Sequence, residues 1–398
     1  MAGTLLIGQA GGATAVINSS LVGAIREAQR HESFDGIWGI RWGAEGLLQG
    51  DFIELGSLPP DTLTALSGTP GAALGSSRRK LSDEEVDVLL DLFRRREIRT
   101  FLFIGGNDSA DTVHRVAQLA SDRNQELQAI AVPKTIDNDL PMTDHSPGYG
   151  SIARYITIAT MDSAKDTESM PTMYPVKVIE VMGRDAGWVV AASTLGKRES
   201  HDAPHLLCLP ERRVSPENLL RDVARIHQEF GRVVAVVAET LRDDQGRPFG
   251  DPGSSEDRDP FGHPLIRGTA AALCRLIQKE LGLRARYDKP GSLQRMSMLC
   301  ASSVDLREAD EVGRAAVRLA LDGQTDRMVT LVRDGDEPYG CHTDSASLAN
   351  VANRQRVVPD NFITADGKGT TEAFHRYGFP LVGPEPLPRY VRLGDVQR

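Results

Sequence analysis

The sequence predicts an α/β fold with largely parallel sheets, and three observations carry that expectation. Short β-branched or aliphatic runs alternate with helical patterns along the chain. Gly-rich or charge-dense loops follow several of those runs directly. At 398 residues the chain has the length for two or so cores. In open parallel sheets ligands bind in the crevice at the carboxyl ends of the strands, so the loops at those ends are where chemistry is sought.

The elements follow in order. Residues 4–7 read as a first strand, followed by a Gly-rich turn and a helix over 16–31. Residues 34–40 read as a second strand. Residues 82–96 read as a helix, with Ser82 suited to the N-cap and Glu85 three residues on, the capping-box pattern. The run TFLFI, 100–104, is a short buried strand ending in Gly105-Gly106, and a helix over 111–120 follows it. Residues 127–132 form a strand that ends at Pro133. Further buried strands are expected over 177–181, 205–209 and 233–238. The stretch 242–264 is rich in Gly, Pro and Asp and reads as a long surface loop, equally well a solvated insertion or a lid. The tail after Val382 reads as extended, fraying at its end.

Composition excludes several classes of function. Forty per cent of residues are apolar and 25% charged, a globular balance that needs no covalent staples at this size. Cys208, Cys274, Cys300 and Cys341 are scattered, without metal-ligand or redox spacing, so they read as reduced thiols of a cytoplasmic protein. The N-terminus MAGTLLIGQAGG lacks a basic n-region and reads as a buried strand, not a signal peptide. No run of 18 apolar residues suggests a membrane span. A net charge of −9 with interspersed signs argues against nucleic acid as a partner. An acidic protein that binds polyanions must instead concentrate its cations locally.

Four loops do so. In GQAGGATAVIN, 8–18, Gly11 and Gly12 let backbone amides approach a phosphate, and a helix N-terminus follows. The same turn could be merely tight or a dinucleotide site, although G-x-G-x-x-G spacing is absent. GSSRRK, 75–80, places Arg78, Arg79 and Lys80 together, a phosphate clamp or a solvated basic loop. GGNDS, 105–109, sets Asn107 and Asp108 at the mouth of a phosphate pocket, where a carboxylate suits a divalent cation or excludes one. PKTIDND, 133–139, brings a lysine and two carboxylates within a few residues. There Lys134 can neutralise charge on a transferring phosphoryl group, Asp137 can take a proton from an attacking hydroxyl, and Asp139 can help hold Mg2+. An Asx-rich turn is the structural alternative.

Taken in order, these loops resemble those of the phosphofructokinase family. The resemblance runs over nearly the whole chain, through VMGR at 181–184, AET at 238–240 and PGSLQR at 290–295. It implies two Rossmann-like lobes with the active site in the cleft between them. Residues 1–150 would form a phosphate-donor lobe, rejoined by about 296–345, and 151–295 a sugar-phosphate lobe, rejoined by about 346–398. The resemblance implies donor-phosphate contacts at Gly11, Gly12, Arg78 and Lys80. It implies a catalytic base at Asp137, with Lys134 and Asp108 beside it. Sugar-phosphate contacts are implied at Thr135, Met182, Gly183, Arg184, Glu239, Arg286 and Arg295, and Mg2+ near Asn107 and Asp139.

The donor can be narrowed further. ATP-using members resemble GGDG at the third loop and carry a small residue before TIDND. Here Asp108 and Lys134 stand at those places, as in the pyrophosphate-dependent branch. A carboxylate at 108 would sit where the α-phosphate of ATP must lie. Two unit charges about 4 Å apart repel by roughly 1 kcal/mol in water and roughly 4 kcal/mol at an effective dielectric of 20. With the steric clash added, ATP would lose roughly tens to thousands of times in affinity. The resemblance therefore implies pyrophosphate and fructose 6-phosphate as partners, reversible transfer to the C1 hydroxyl, and a homodimer or homotetramer. Sedoheptulose 7-phosphate is a further candidate acceptor. An ATP-dependent kinase of the same fold and a non-catalytic sugar-phosphate-binding regulator are the rival readings. Three departures from the family pattern bear on the details: Asn107 replaces an aspartate, Ser292 a histidine, and Pro175 an arginine lent across the subunit interface, for which Lys177 and Arg286 are the candidate substitutes.

Overall fold

In the computed structural model, which describes residues 3–250 and 268–393, two sheets dominate. The strands are β1 (Thr4–Gln9), β2 (Gly36–Ile40), β3 (Phe52–Glu54), β4 (Ile98–Gly105), β5 (Gln128–Pro133), β6 (Val176–Val181), β7 (Leu206–Cys208), β8 (Val233–Ala238), β9 (Ala285–Asp288), β10 (Arg327–Asp336) and β11 (Tyr339–Ser347). The larger sheet has the order β11-β10-β5-β4-β1-β2-β3, the smaller β7-β8-β6-β9. Only the outermost pairings of the larger sheet, β10 with β11 and β2 with β3, are antiparallel. The α/β class expected from the alternation of runs is the one observed.

The run TFLFI is continuously apolar because its strand is covered on both faces. Phe101 and Phe103 point into one core with Phe93 and Val113, whereas Leu102 and Ile104 point into another with Ile7 and Val132. Side chains alternate across a strand, so a two-faced core needs apolar residues at every position. A third core, beneath the smaller sheet, centres on Trp188 with Tyr149, Phe374 and Tyr377.

Register levels the strand ends. Gln9 pairs opposite Ile104, and Gly105 opposite Pro133, so β1, β4 and β5 release their loops side by side. In the smaller sheet Val181 lies opposite Ala238, which sets the loops after β6 and β8 next to each other.

The capping box is present: the Glu85 backbone N–H donates to Ser82 Oγ at 3.2 Å, and Ser82 N–H donates to the Glu85 carboxylate at 2.9 Å. Three expectations shift. The helix expected from 111 runs over Asn107–Asp122, so Asn107 and Asp108 occupy its first turn. The helix expected over 16–31 spans Ile17–Ala28, and the strand expected from 34 begins at Gly36. Strands β3, β9, β10 and β11 were not expected at all. Of the long loop at 242–264, Arg242 bridges to Pro248, and residues 251–264 lie outside the described residues, as does the end of the tail from 394. Among the described residues no helix is long and apolar enough to cross a membrane.

Candidate active site

The loops after β1, β4, β5, β6 and β8, joined by the segment around Leu293–Met296, enclose one cavity. It is lined by Gly11, Gly12, Arg78, Asn107, Asp108, Lys134, Thr135, Asp137, Asp139, Met182, Gly183, Arg184, Glu239 and Arg295. Fourteen sequence-predicted residues from seven stretches of chain, the 75–80 loop bearing Arg78 among them, thus meet in one place. Lys80 and Arg286 are not among the lining residues. Lys80 is exposed and pairs with Asp111 at 3.7 Å. Arg286 lies on β9, its guanidinium 3.5 Å from the Tyr174 ring centroid and 3.9 Å from Asp166. Lys177, weighed as a substitute for a missing arginine, is buried between Asp166 and Asp288 at 3.1 Å from each.

Backbone geometry explains the glycines that matter. Gly11 has φ +74°, and a Cβ at Gly12 would come within 2.5 Å of the Arg295 guanidinium. A side chain at position 12 would therefore have to displace the tip of Arg295, where the donor loop meets the PGSLQR loop. Gly183 has φ +134° and Arg184 φ +48°, a turn that folds the VMGR loop back over the cavity. The Thr240 hydroxyl donates to the Arg184 carbonyl, and Gln294 Oε1 accepts from the Met182 backbone at 3.2 Å.

Lys134 is 3% exposed, and its ammonium donates to the Ala10 carbonyl at 3.0 Å and the Gly12 carbonyl at 2.7 Å. Burial, reinforced by Arg295, pushes its pKa down to about 7. Asp137 is pushed up to about 7, first by burial and then by the neighbouring Asp139. Burial also raises Asp139 and Glu239. A carboxylate held near neutrality is suited to take a proton at physiological pH.

Two buried polar atoms of residues that line the cavity have no protein partner. Asn107 Oδ1 is buried without a hydrogen bond, while Asn107 Nδ2 donates to Asp139 Oδ2 at 3.3 Å. Arg295 Nε is likewise buried without an acceptor. Since buried polar groups are almost always satisfied, an oxygen beside a carboxylate fits a cation or its water, and an orphan guanidinium N–H fits an anion. Among the described residues no three carboxylate, imidazole or thiolate groups cluster as a self-sufficient metal site.

Sequence reasoning missed Ala13, Gly106, Ser109 and Ile136 on the cavity wall, and Gln294 behind it. All lie inside or beside the stretches singled out, but none has a side chain whose chemistry announces a role.

The chain is similar to known proteins along nearly its whole length. A family profile described as Phosphofructokinase matches residues 4–320. A protein of Halomonas elongata named pyrophosphate–fructose 6-phosphate 1-phosphotransferase is 40% identical over 389 residues, covering 96% of this chain and 92% of its own. The crystal structure of a pyrophosphate-dependent phosphofructokinase from Nitrosospira multiformis superposes with a TM-score of 0.88 at 35% identity, over 98% of this chain and 94% of that one. One from Marinobacter aquaeolei gives 0.87 at 34% identity, with the same coverage.

Proposed function

The chain belongs to the phosphofructokinase family, and from that premise we propose that it is a phosphotransferase moving a phosphoryl group from pyrophosphate to the C1 hydroxyl of fructose 6-phosphate. One observation carries the donor assignment: Asp108 and Lys134 stand on the same cavity wall as Asp137.

The reaction is an in-line displacement. The C1 hydroxyl of the sugar attacks the terminal phosphorus of pyrophosphate. Its proton passes to Asp137, whose raised pKa suits a base working near neutrality. The new P–O bond forms as the bond to the bridging oxygen breaks, and inorganic phosphate leaves with the electron pair. Lys134, already anchored to the Ala10 and Gly12 carbonyls, faces that departing charge together with Arg78. Arg184, Glu239 and Arg295 orient the sugar phosphate from the other side of the cavity. The unpartnered Arg295 Nε supplies a donor for a phosphate oxygen. Asn107 and Asp139 would hold a divalent cation, in our assignment Mg2+, which when bound neutralises charge on the phosphoryl groups. A phosphoanhydride donor and a phosphate ester are exchanged without nucleotide, so the reaction is assigned as reversible. The protein is assigned as a homodimer or a dimer of dimers, on the general preference for closed symmetry.

The test is an assay with pyrophosphate or ATP as donor and fructose 6-phosphate or sedoheptulose 7-phosphate as acceptor. Turnover with pyrophosphate and fructose 6-phosphate far above that with ATP is expected. Comparable turnover with ATP would reject the donor assignment and favour an ATP-dependent kinase. Sugar-phosphate binding without turnover from either donor would favour a regulator.

A further inference from the structure

The loop that carries Asp137 and Asp139 is held from outside by a residue more than two hundred positions downstream. Arg356 precedes the buried Val358 and lies beyond β11. Its guanidinium Nε and Nη2 donate to the Asn138 carbonyl at 3.3 and 3.1 Å. Its Nη1 donates to the carbonyls of Thr143 and Asp144 at 2.8 and 2.6 Å. Its backbone N–H donates to the Asp139 carbonyl at 2.7 Å. One side chain thus ties the start of the loop, between the two carboxylates, to its far end. The guanidinium is itself stacked 4.6 Å from the Trp188 ring centroid, in the core of the smaller sheet.

Asn138 explains why such a tie is needed. It sits between Asp137 and Asp139, fully buried, with φ +53°, a left-handed conformation that a non-glycine side chain adopts at a cost. Every polar group of its side chain is engaged. Its Oδ1 accepts from Ser146 N–H at 3.1 Å, and its Nδ2 donates to the Tyr377 hydroxyl at 2.8 Å. That hydroxyl in turn donates to the Asp144 carbonyl at 2.9 Å. The arrangement is closed: Arg356 and Tyr377 bridge both ends of the loop and fix the strained residue between them.

We infer that Arg356 is a positioning residue for phosphoryl transfer, holding Asp137 at its working distance from the acceptor hydroxyl, with Tyr377 as its partner. Neither residue lines the cavity. The inference rests on Asp137 being the base. A planar fork of five donors can satisfy carbonyls in several directions at once, whereas an ammonium on a flexible stem cannot reproduce that geometry. Misplacing a reacting group by about 1 Å from a distance can cost on the order of 100-fold in rate.

The test uses the full-length protein with pyrophosphate, fructose 6-phosphate and Mg2+. R356A should lower kcat by about 100-fold and R356K by about 10-fold, with KM for both substrates within about threefold of wild type. Amide exchange across 136–146 should quicken in both variants, while exchange in β8 stays as in wild type. Y377F, which loses a single oxygen, should show a smaller kcat loss of the same kind, and it carries the test if R356A does not fold. A kcat that falls only as far as the folded fraction falls, or a loss confined to KM, overturns the inference. Wild-type turnover is measured first. A wild type inactive with pyrophosphate sinks the proposed function, whereas an active wild type beside unimpaired variants sinks only the role of Arg356.

Discussion

Asp137 and Lys134 show how burial tunes a pair of ordinary side chains toward one task. Both are pushed to about 7 from opposite directions, the carboxylic acid upward and the ammonium downward, chiefly by leaving water. The acid must be ionised to accept a proton, so activity should rise as pH climbs through about 7. The ammonium must stay protonated to face a leaving phosphate, so activity should fall again as it loses its proton. The dependence of kcat/KM on pH, which reports the free enzyme, should therefore be a narrow bell centred near neutrality. Asp137→Ser should cost on the order of 100- to 10,000-fold in kcat at every pH while leaving sugar-phosphate binding by calorimetry largely intact. A flat profile, or a serine variant with near-normal kcat, would remove Asp137 from its role. Single residues of this kind were legible in the sequence because a lysine and two carboxylates crowd the end of one apolar strand, in a loop that takes its place in the order of the family's loops. Lys80 and Arg286 were legible as cations but not as positions. Lys80 is drawn to Asp111 and Arg286 to Tyr174, contacts that only the folded chain creates.

At the level of elements, the strands buried over most of their length were found and the partly exposed ones were not. β6 and β8 are buried along their whole length, and β4 at every position but Arg99. β10 is buried over 328–331 and then alternates exposed with partly buried residues, as β11 does over its middle; β11 forms the sheet edge, and the charged stretch RDGDEP leads from one strand to the other. Their weak signal follows from being half-solvated. The helix at Asn107 was placed one turn late because Asn and Asp favour turns in isolation; here Asp108 lies in the first turn, where a carboxylate meets the positive end of the helix dipole. Elements are also joined by buried charge. His145 is 1% exposed and lies 2.8 Å from Asp144 and 2.7 Å from Glu308, the latter on the helix Ser303–Leu321. Burial alone would push the imidazole down, but the hydrogen bonds to Asp144 and Glu308 outweigh it and raise it to about 9. A folded-state pKa above the unfolded value of about 6.5 means that the folded protein holds this proton more tightly. The resulting stability is fully present below about 6.5 and is lost as pH rises through about 9. Urea midpoints should therefore decline between those values in wild type, and His145→Gln should show a shallower decline from a lower starting midpoint. Equal slopes in the two proteins would contradict the assignment of His145 as a buried imidazolium.

The whole molecule is organised so that distant stretches of one chain close around a single cavity. Two sheets with level strand ends present three loops from one side and two from the other, and the segment bearing Arg295 completes the wall. The alternation of strand and helix was enough to foresee the class of fold and the ends at which loops would gather. The return of the chain was harder to see. The larger sheet takes β10 and β11 from chain that follows the smaller sheet in sequence, and Phe374 and Tyr377, further on, pack into the core beneath the smaller sheet. Which sheet a late segment joins depends on long-range packing that no local pattern carries. Arg356 escaped notice for that reason: its meaning lies in carbonyls more than two hundred residues away. What remains distinctive of the assembled cavity is that Asp108 and Lys134 line it together with Asp137. The most direct measurement is the ratio of kcat/KM for pyrophosphate to that for ATP in wild type and in Asp108→Gly, with fructose 6-phosphate as acceptor. The wild-type ratio should exceed about 1,000, and the glycine variant should bring it down by at least about tenfold, mainly through gained ATP activity. A wild-type ratio near one, or a ratio that Asp108→Gly leaves unchanged, would contradict the account.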